Sequence, residues 1–173
     1  MKTLKIIKDS DVGSDISSPN KFEERRASRA IVFDSDNNIA LLDASKAGYH
    51  KLPGGGIEEG EEIQQALRRE MQEEIGCDIT DIRELGVIEE YRNKFALHQT
   101  SYCFIAKLSG NKGTPHLEPG EIADGFMPIW LSIESAIEIL EAESGIERYE
   151  GKFIRLRDLI FLKEAKNFLS TLT

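Results

Sequence analysis

The sequence predicts a single domain of the mixed α/β class. Three observations favour this class: the chain length, the hydrophobic content, and the interleaving of strand-like with helix-like patterns. The chain has 173 residues, of which 40% are hydrophobic, so it is long enough and apolar enough to bury a substantial core. Neither an internal repeat nor a low-complexity linker divides it. Strands and helices that alternate within one undivided chain indicate mixed α/β architecture.

The strands are predicted from short apolar runs and from apolar residues that alternate with polar ones. In chain order, they are expected over residues 2–8, 30–33, 39–42, 50–56, 82–91, 99–108 and 129–131. Turn-forming residues at 34–38 predict that the second and third strands form a hairpin. The fourth strand runs into a glycine loop. Further loops are predicted for the turn-rich residues 9–24 and for the segment around Pro119 and Gly120.

Three helices are predicted from apolar residues that recur with the helical period. The first covers residues 62–75. Ser132 is a suitable N-cap for the second, whose apolar face consists of Ile133, Ala136, Ile137 and Leu140. The third is C-terminal, and its apolar face consists of Phe161, Ala165, Phe168, Leu169 and Leu172.

Charge and cysteine content exclude several functional classes. The chain carries 22 basic and 31 acidic residues, a net charge of −9, which disfavours binding to duplex nucleic acid because such a surface repels phosphate backbones. No apolar run approaches the ~18 residues of a membrane helix, and the N-terminus has no signal-peptide pattern. Cys77 and Cys103 lack metal-ligand spacing. We therefore expect reduced thiols in a cytoplasmic protein without a membrane partner.

Residues 52–77 combine a glycine loop with an acidic helix, and the two common nucleotide motifs do not describe them. Gly55 and Gly60 have the spacing of P-loop glycines, but Glu61 and Glu62 stand where lysine and serine or threonine are required. The dinucleotide-binding pattern fails because Glu59 occupies the position of its last glycine. A different anion-handling chemistry is therefore expected.

The helix itself predicts a metal site. At about 100° per residue, Glu70 and Glu74 fall into or beside the apolar arc of the helix, and Glu73 lies next to them. Clustered carboxylates repel each other, and burial next to apolar side chains raises their pKa unless a positive charge is present. Arg69 supplies one such charge. A hard divalent cation supplies what is missing, so the residues predict a carboxylate site for Mg²⁺ beside a glycine loop whose backbone can approach closely.

The same segment resembles the signature of a known family. From Gly55, five residues lead to Glu61 and seven more to Arg69, which is followed by Glu70-Met71-Gln72-Glu73-Glu74-Ile75-Gly76-Cys77. This pattern is similar to the box of Nudix (MutT-like) hydrolases at every fixed position, with Cys77 where an aliphatic residue is usual. The resemblance implies an α/β/α sandwich with a mixed sheet. In it, residues 1–24 would form an N-terminal strand and loop, and residues 25–173 the Nudix hydrolase domain.

The resemblance also implies roles for individual residues. The Mg²⁺ ligands, for which Mn²⁺ is an alternative ion, would be Glu70, Glu73, Glu74 and the carbonyl of Gly54, with Glu61 near the metal cluster. Arg69 would orient the carboxylates. The general base would be either a box glutamate, Glu73 or Glu74, or a glutamate of a downstream loop, for which Glu121 stands at about the right distance. Gly120 and the preceding prolines suggest that this loop swings over bound substrate.

The implied activity is Mg²⁺-dependent hydrolysis of a diphosphate linkage in a small nucleoside diphosphate-linked substrate. We favour a nucleoside triphosphate pyrophosphohydrolase, including one that acts on oxidised dNTPs. Hydrolysis of ADP-ribose or a nucleotide sugar, or of RNA 5′ ends, remains an alternative, as does a non-catalytic nucleotide-sensing regulator. Arg92, Lys94 and His98 are candidates for phosphate contacts, although an exposed basic turn explains them equally. The protein is expected to act as a monomer or homodimer.

Overall fold

The computed structural model describes residues 1–170, which form one mixed sheet with helices on both faces. Its strands are β1 (Thr3–Ile7), β2 (Glu23–Phe33), β3 (Ile39–Ala44), β4 (Tyr49–Lys51), β5 (Gly54–Gly56), β6 (Asp78–Arg92), β7 (Leu97–Ser109) and β8 (Phe126–Leu131). Its α-helices are α1 (Ile63–Ile75), α2 (Pro119–Asp124), α3 (Ile133–Ala142) and α4 (Tyr149–Ser170), and short 3₁₀ turns cover Asp9–Val12 and Asn93–Phe95. None of the helices within residues 1–170 is long and apolar enough to cross a bilayer.

The sheet contains both parallel and antiparallel strand pairs. Its strand order is β1-β6-β7-β2-β3-β4, with β5 paired to β2 and β8 paired to β3. Strands β1 and β6 are parallel, and so are β2 and β7; the other pairs are antiparallel. The β2–β7 pair runs from Glu23 opposite Leu97 to Phe33 opposite Lys107. This long central pair extends beyond the apolar core and brings polar residues of β2 next to the glycine strand β5.

Side chains of the central strands alternate between two hydrophobic layers, one on each face of the sheet. Ala30 and Val32 of β2 pack with Leu67 and Met71 of α1 on one face of the sheet. Ile31, between them in sequence, belongs to the other layer, which contains residues of α3 and α4 such as Leu140, Phe153 and Phe161. Successive residues of a strand point to opposite faces, so this division follows from the alternation in β2. The fold is therefore a single-domain α/β/α sandwich with a mixed sheet.

Most of the predicted elements are confirmed. Five strands, β2, β3, β6, β7 and β8, are longer than the apolar runs indicate, whereas β1 is shorter and the predicted strand 50–56 is divided into β4 and β5. Ser132 caps α3, since its Oγ accepts a hydrogen bond of 3.1 Å from the backbone N of Ser135. Predicted apolar residues Phe161 and Ala165 of the C-terminal helix are buried in α4, whereas Leu172 lies outside the described residues. Strand β1 joins the sheet at the edge formed by β6. The assignment of residues 1–24 and 25–173 to separate units stays a prediction.

Two predicted loops contain regular structure. Residues 9–24 include the 3₁₀ turn Asp9–Val12 and the first residues of β2. The segment around Gly120 is the short helix α2 and not the predicted loop, and its movement over bound substrate stays a prediction. Proline at the first helical position favours this start, and the side chain of Glu121 accepts a hydrogen bond of 2.8 Å from the backbone N of Glu118. Glu121 is therefore held within a helical turn.

Candidate active site

The glycine loop brings backbone into direct contact with strand β2 and with α1. Gly54 has φ 134°, and a Cβ there would contact the carbonyl oxygen of Ser28 and lie 2.7 Å from the Cα of Arg29. A Cβ on Gly55 would overlap the Glu70 carboxylate, with the Cδ of Glu70 at 2.6 Å. Glycine is thus required at both positions, for backbone conformation at the first and for close approach of a carboxylate at the second.

Helix α1 carries the acidic residues in the orientation that the helical wheel predicts. It ends at Gly76, which adopts the left-handed conformation with φ 64°. Glu70 and Glu74 are 8% and 1% exposed, whereas Glu73 is only partly buried. The apolar side of α1 packs on the sheet, and two carboxylates are consequently drawn into the interior next to the glycine loop.

Arg69 connects three of the predicted carboxylates. Its Nε and Nη2 each donate a 3.0 Å hydrogen bond to Glu61, and its Nη1 donates to Glu70 at 2.8 Å and to Glu73 at 3.0 Å. Nη2 also donates to the carbonyl of Gly56 at 2.9 Å. These contacts lower the pKa of Glu61. Arg69 therefore fixes the relative positions of the three side chains and of the glycine strand.

Glu74 has a separate partner that the sequence analysis missed. Lys51 Nζ lies 2.6 Å from Glu74 Oε1, and the backbone N of Gly54 donates to Glu74 Oε2 at 2.5 Å. Lys51 is the last residue of β4 and is itself buried. Tyr49, two residues earlier on the same face of the strand, is also buried, but the sequence Tyr-His-Lys contains no signal for the burial of Lys51.

Glu121 joins these residues in one pocket. The pocket has a volume of about 360 Å³, and its lining includes the glycine loop, Glu70, Glu73, Glu74 and Glu121. Burial, together with the neighbouring Glu74 carboxylate, raises the pKa of Glu121 to about 7, although it accepts a hydrogen bond from the backbone of Glu118. The sequence-predicted site residues on the loop, on α1 and on α2 are thus brought together.

The donor set is suited to a hard divalent cation. Burial and the negative charge of Glu74 raise the pKa of Glu70 in spite of its contact with Arg69, so the positive charges present do not fully compensate the carboxylates. Carboxylate and carbonyl oxygens are the ligands that Mg²⁺ prefers. Within residues 1–170, no three acidic, histidine or cysteine side chains already converge as a metal cage, because Arg69 and Lys51 hold the carboxylates. The proposed ligands stay a prediction.

A buried ionic cluster supports the glycine loop from the other side. Asp158 of α4 accepts a hydrogen bond of 2.8 Å from the backbone N of Leu52, and Arg157 binds Asp158 at 2.7 Å and Glu90 at 3.3 Å. Arg29 Nη1 donates to the carbonyl of Gly54 at 2.8 Å. The sequence analysis missed these residues. Arg29 gave no clear signal, because it follows a polar part of β2 that already contains Arg25 and Arg26.

Several known proteins are similar to this chain. A diphosphoinositol polyphosphate phosphohydrolase 3-alpha from Mus musculus is 30% identical over 74% of this chain and 75% of its own length. An 8-oxo-dGTP diphosphatase from Proteus vulgaris is 37% identical over 34% of this chain, and the match spans only 55% of that enzyme. An RNA pyrophosphohydrolase from Wolbachia pipientis is 40% identical over 30% of this chain and 33% of its own length.

Solved structures agree on the fold. A NUDIX hydrolase from Nitrosomonas europaea superposes with a TM-score of 0.57 at 18% identity, over 76% of this chain and 88% of that one. A MutT protein from Bacillus halodurans gives 0.53 at 23% identity, over 66% and 72%. The relatives named above and the family match together support a hydrolase that acts on pyrophosphate bonds. More narrowly, the NUDIX domain model matches residues 23–154, so the chain belongs to the NUDIX family, whose members generally use divalent metal ions.

Proposed function

We propose that the protein hydrolyses a diphosphate linkage in a nucleoside diphosphate-linked substrate, as a nucleoside triphosphate pyrophosphohydrolase that depends on Mg²⁺ or Mn²⁺. The observation that carries the proposal is the convergence, in one pocket, of the glycine loop with Glu70, Glu73, Glu74 and Glu121. Buried acidic side chains are costly unless a cation is bound nearby, so their arrangement beside an open pocket supports a metal-dependent reaction.

In this proposal, the ligands are Glu70, Glu73, Glu74 and the Gly54 carbonyl, and Glu61 assists from the position where it binds Arg69. A bound divalent ion neutralises phosphate oxygens and lowers the pKa of a coordinated water. Arg69 orients the carboxylates through the hydrogen bonds described above. Lys51 and Arg69 already bring positive charge to this acidic site, so an anionic substrate can approach a protein whose net charge is −9.

Glu121 is our candidate for the general base. Its carboxylate lines the same pocket as the proposed ligands and contacts Glu74, so it can accept a proton from a water that attacks phosphorus. Because it sits in α2, it is positioned by a short helix and needs no swinging loop. Glu73 and Glu74 are the alternatives, and they would then serve as ligand and base together.

The test is a hydrolysis screen with Mg²⁺ or Mn²⁺ over (d)NTPs, oxidised dNTPs, ADP-ribose, dinucleoside polyphosphates and 5′-triphosphate RNA, in which added pyrophosphatase or phosphomonoesterase converts the pyrophosphate or phosphomonoester products to phosphate for measurement. Glu121→Gln should lower kcat on the best substrate by roughly 10²–10⁴ at saturating metal, the usual range for the loss of a general base. Glu138→Gln removes the same charge from an exposed position on α3 and is the control. A loss of kcat below about threefold would mean that Glu121 is not the general base.

A non-catalytic nucleotide sensor is the competing function. A binding module has no need for the complete set Glu61, Arg69, Glu70, Glu73 and Glu74 with its connecting hydrogen bonds, and the presence of this set supports an enzyme. Nucleotide binding without hydrolysis of any substrate of the screen would favour the sensor.

A further inference from the structure

Part of the pocket wall is basic. Arg25 of β2, Arg29 of β2 and Arg92 of β6 line it, together with Gln99 of β7. Arg25 and Gln99 are register partners in the parallel β2–β7 pair, and Arg25 Nη1 donates to Gln99 Oε1 at 3.2 Å. The pocket is thus divided into a carboxylate half on α1 and an arginine half on the sheet.

The arginine half carries more positive charge than its own buried partners neutralise. Arg29, Arg92 and Arg157 are each 5% exposed or less, and the buried carboxylates among them are Glu90 and Asp158. Burial, and then the charge of Arg157, lowers the pKa of Arg29 to about 10. Glu70 and Glu74 are nearby but are already engaged by Arg69 and Lys51. An excess positive charge therefore remains in the interior, beside an open pocket.

Several guanidinium donors in this half lack a partner. Arg29 uses Nη1 for the Gly54 carbonyl, and Arg92 uses Nη2 for Glu90 at 2.9 Å. The Nε atoms of both are buried and have no hydrogen-bond partner within residues 1–170. A buried donor without a partner is destabilising, so the hydrogen-bonding capacity of these side chains is incompletely satisfied in the protein alone.

Arg25 extends from this cluster towards the glycine loop. It reaches solvent, and a Cβ on Gly56 would lie 3.2 Å from its Nη2, so its guanidinium lies directly over the loop. The positive charges of Arg92 and Arg157 add to partial burial in lowering its pKa. Arg25 therefore stands between the carboxylate half and the deeper arginines.

We propose that Arg25, Arg29 and Arg92 form a subsite for a phosphate group of the substrate. This phosphate is a further one, in addition to the two that flank the hydrolysed bond. This inference rests on the proposed function and names its substrate class: substrates with at least one further phosphate. One guanidinium group can donate two parallel hydrogen bonds to the oxygens of a phosphate, and the negative charge of a phosphate dianion matches the excess positive charge of the arginine half. The further phosphate comes from a longer linear chain or from another position of the same molecule.

The first experiment measures anion binding without metal or turnover. Full-length protein in EDTA is titrated with inorganic tripolyphosphate by calorimetry, and Arg25→Gln should weaken binding at least tenfold. Arg26→Gln is the matched control, because it removes the same charge from the next residue of β2, whose side chain points away from this pocket and over the Tyr102 ring. Absence of binding in the parent, or equal weakening by both substitutions, would overturn the subsite. Arg25→Lys should recover only part of the affinity, because it keeps the charge but loses the paired donors.

The second experiment uses substrate preference. The ratio of kcat/KM for a nucleoside triphosphate to kcat/KM for a substrate with only two phosphates, such as ADP-ribose, should fall at least tenfold in Arg25→Gln, mainly through KM. An unchanged ratio would contradict the assignment. Competition by inositol hexakisphosphate that exceeds competition by tripolyphosphate would identify a phosphate on a ring as the source. If no substrate is turned over, the proposed function fails, while the calorimetric result still decides the subsite.

Discussion

The Lys51–Glu74 pair should contribute measurable stability, and a double-mutant cycle can isolate that contribution. The two side chains are 11% and 1% exposed and 2.6 Å apart. Removing one member of a buried pair costs about 3–5 kcal/mol because the other charge stays behind. Lys51 retains slight exposure and lies 4.9 Å from the centre of the Phe126 ring, and both features reduce the cost of leaving its charge unpaired. We therefore expect Glu74→Gln to lower the free energy of unfolding by about 2–3 kcal/mol, at or below the bottom of that range.

The assay is urea denaturation in EDTA, with thermal melts as a second measure. A loss of that size lowers the melting temperature by roughly 4–12 °C for a domain of this length. Lys51→Met combined with Glu74→Gln should cost at least about 1 kcal/mol less than the sum of the single variants, because neither charge is then left unpaired. Stability, but not turnover, is expected to recover in the double variant, since the proposed metal ligand is still absent. Effects that add to within about 0.5 kcal/mol would refute an energetically coupled pair.

Three further predictions concern the metal, the glycine loop and pH. Millimolar Mg²⁺ should raise the melting temperature and EDTA should reverse the shift, because an ion at 100 times its Kd stabilises the native state by about 2.7 kcal/mol. Gly54→Ala should destabilise the protein by at least about 2 kcal/mol more than Gly60→Ala, since both have positive φ but only Gly54 faces the Ser28 carbonyl. The hydrogen bond to Glu143 raises the pKa of His50, so the stability it provides is complete below about pH 6.5 and is lost as the pH rises through the folded-state pKa. His50→Gln should therefore lower the free energy of unfolding more at about pH 5.5 than at about pH 9.

Each of these predictions has an outcome that contradicts it. A melting temperature that does not respond to Mg²⁺, or that responds equally in Glu74→Gln, would argue against the proposed ligand set. The free energies of unfolding of Gly54→Ala and Gly60→Ala are measured by urea denaturation. Equal losses of stability in the two variants would mean that backbone conformation alone accounts for the effect. His116→Gln is the control because that side chain is exposed. If both variants showed the same pH dependence of the free energy of unfolding, the effect could not be attributed to His50.

The helix of the candidate site was predictable from sequence because the buried apolar residues and the buried carboxylates of α1 follow the same helical periodicity. Glu70 and Glu74 fall on the arc of Leu67 and Met71, and all four are buried in the structure. The strands were underestimated for the opposite reason. The first part of β2, Glu23–Arg26, pairs with β7 through backbone hydrogen bonds that leave no apolar signature.

The missing site residues depend on contacts between distant segments. Lys51 meets Glu74 across 23 residues, and Asp158 meets Leu52 across 106. No local pattern encodes such pairs, because each partner looks ordinary in its own segment. Arg92 shows the same limit: the sequence left open whether it contacts phosphate or lies in an exposed basic turn, and only the structure shows that it is 5% exposed and lines the pocket.

The contact between Asp158 and Leu52 has a consequence for any attempt to shorten the protein. The NUDIX domain match ends at residue 154, and a chain cut there would keep every box glutamate. It would also lose Arg157 and Asp158, and with them the hydrogen bond that holds the segment before the glycine loop. Such a fragment would carry an intact signature on an unsupported loop. We therefore expect the smallest stable fragment to be longer than the matched domain and to include the second half of α4.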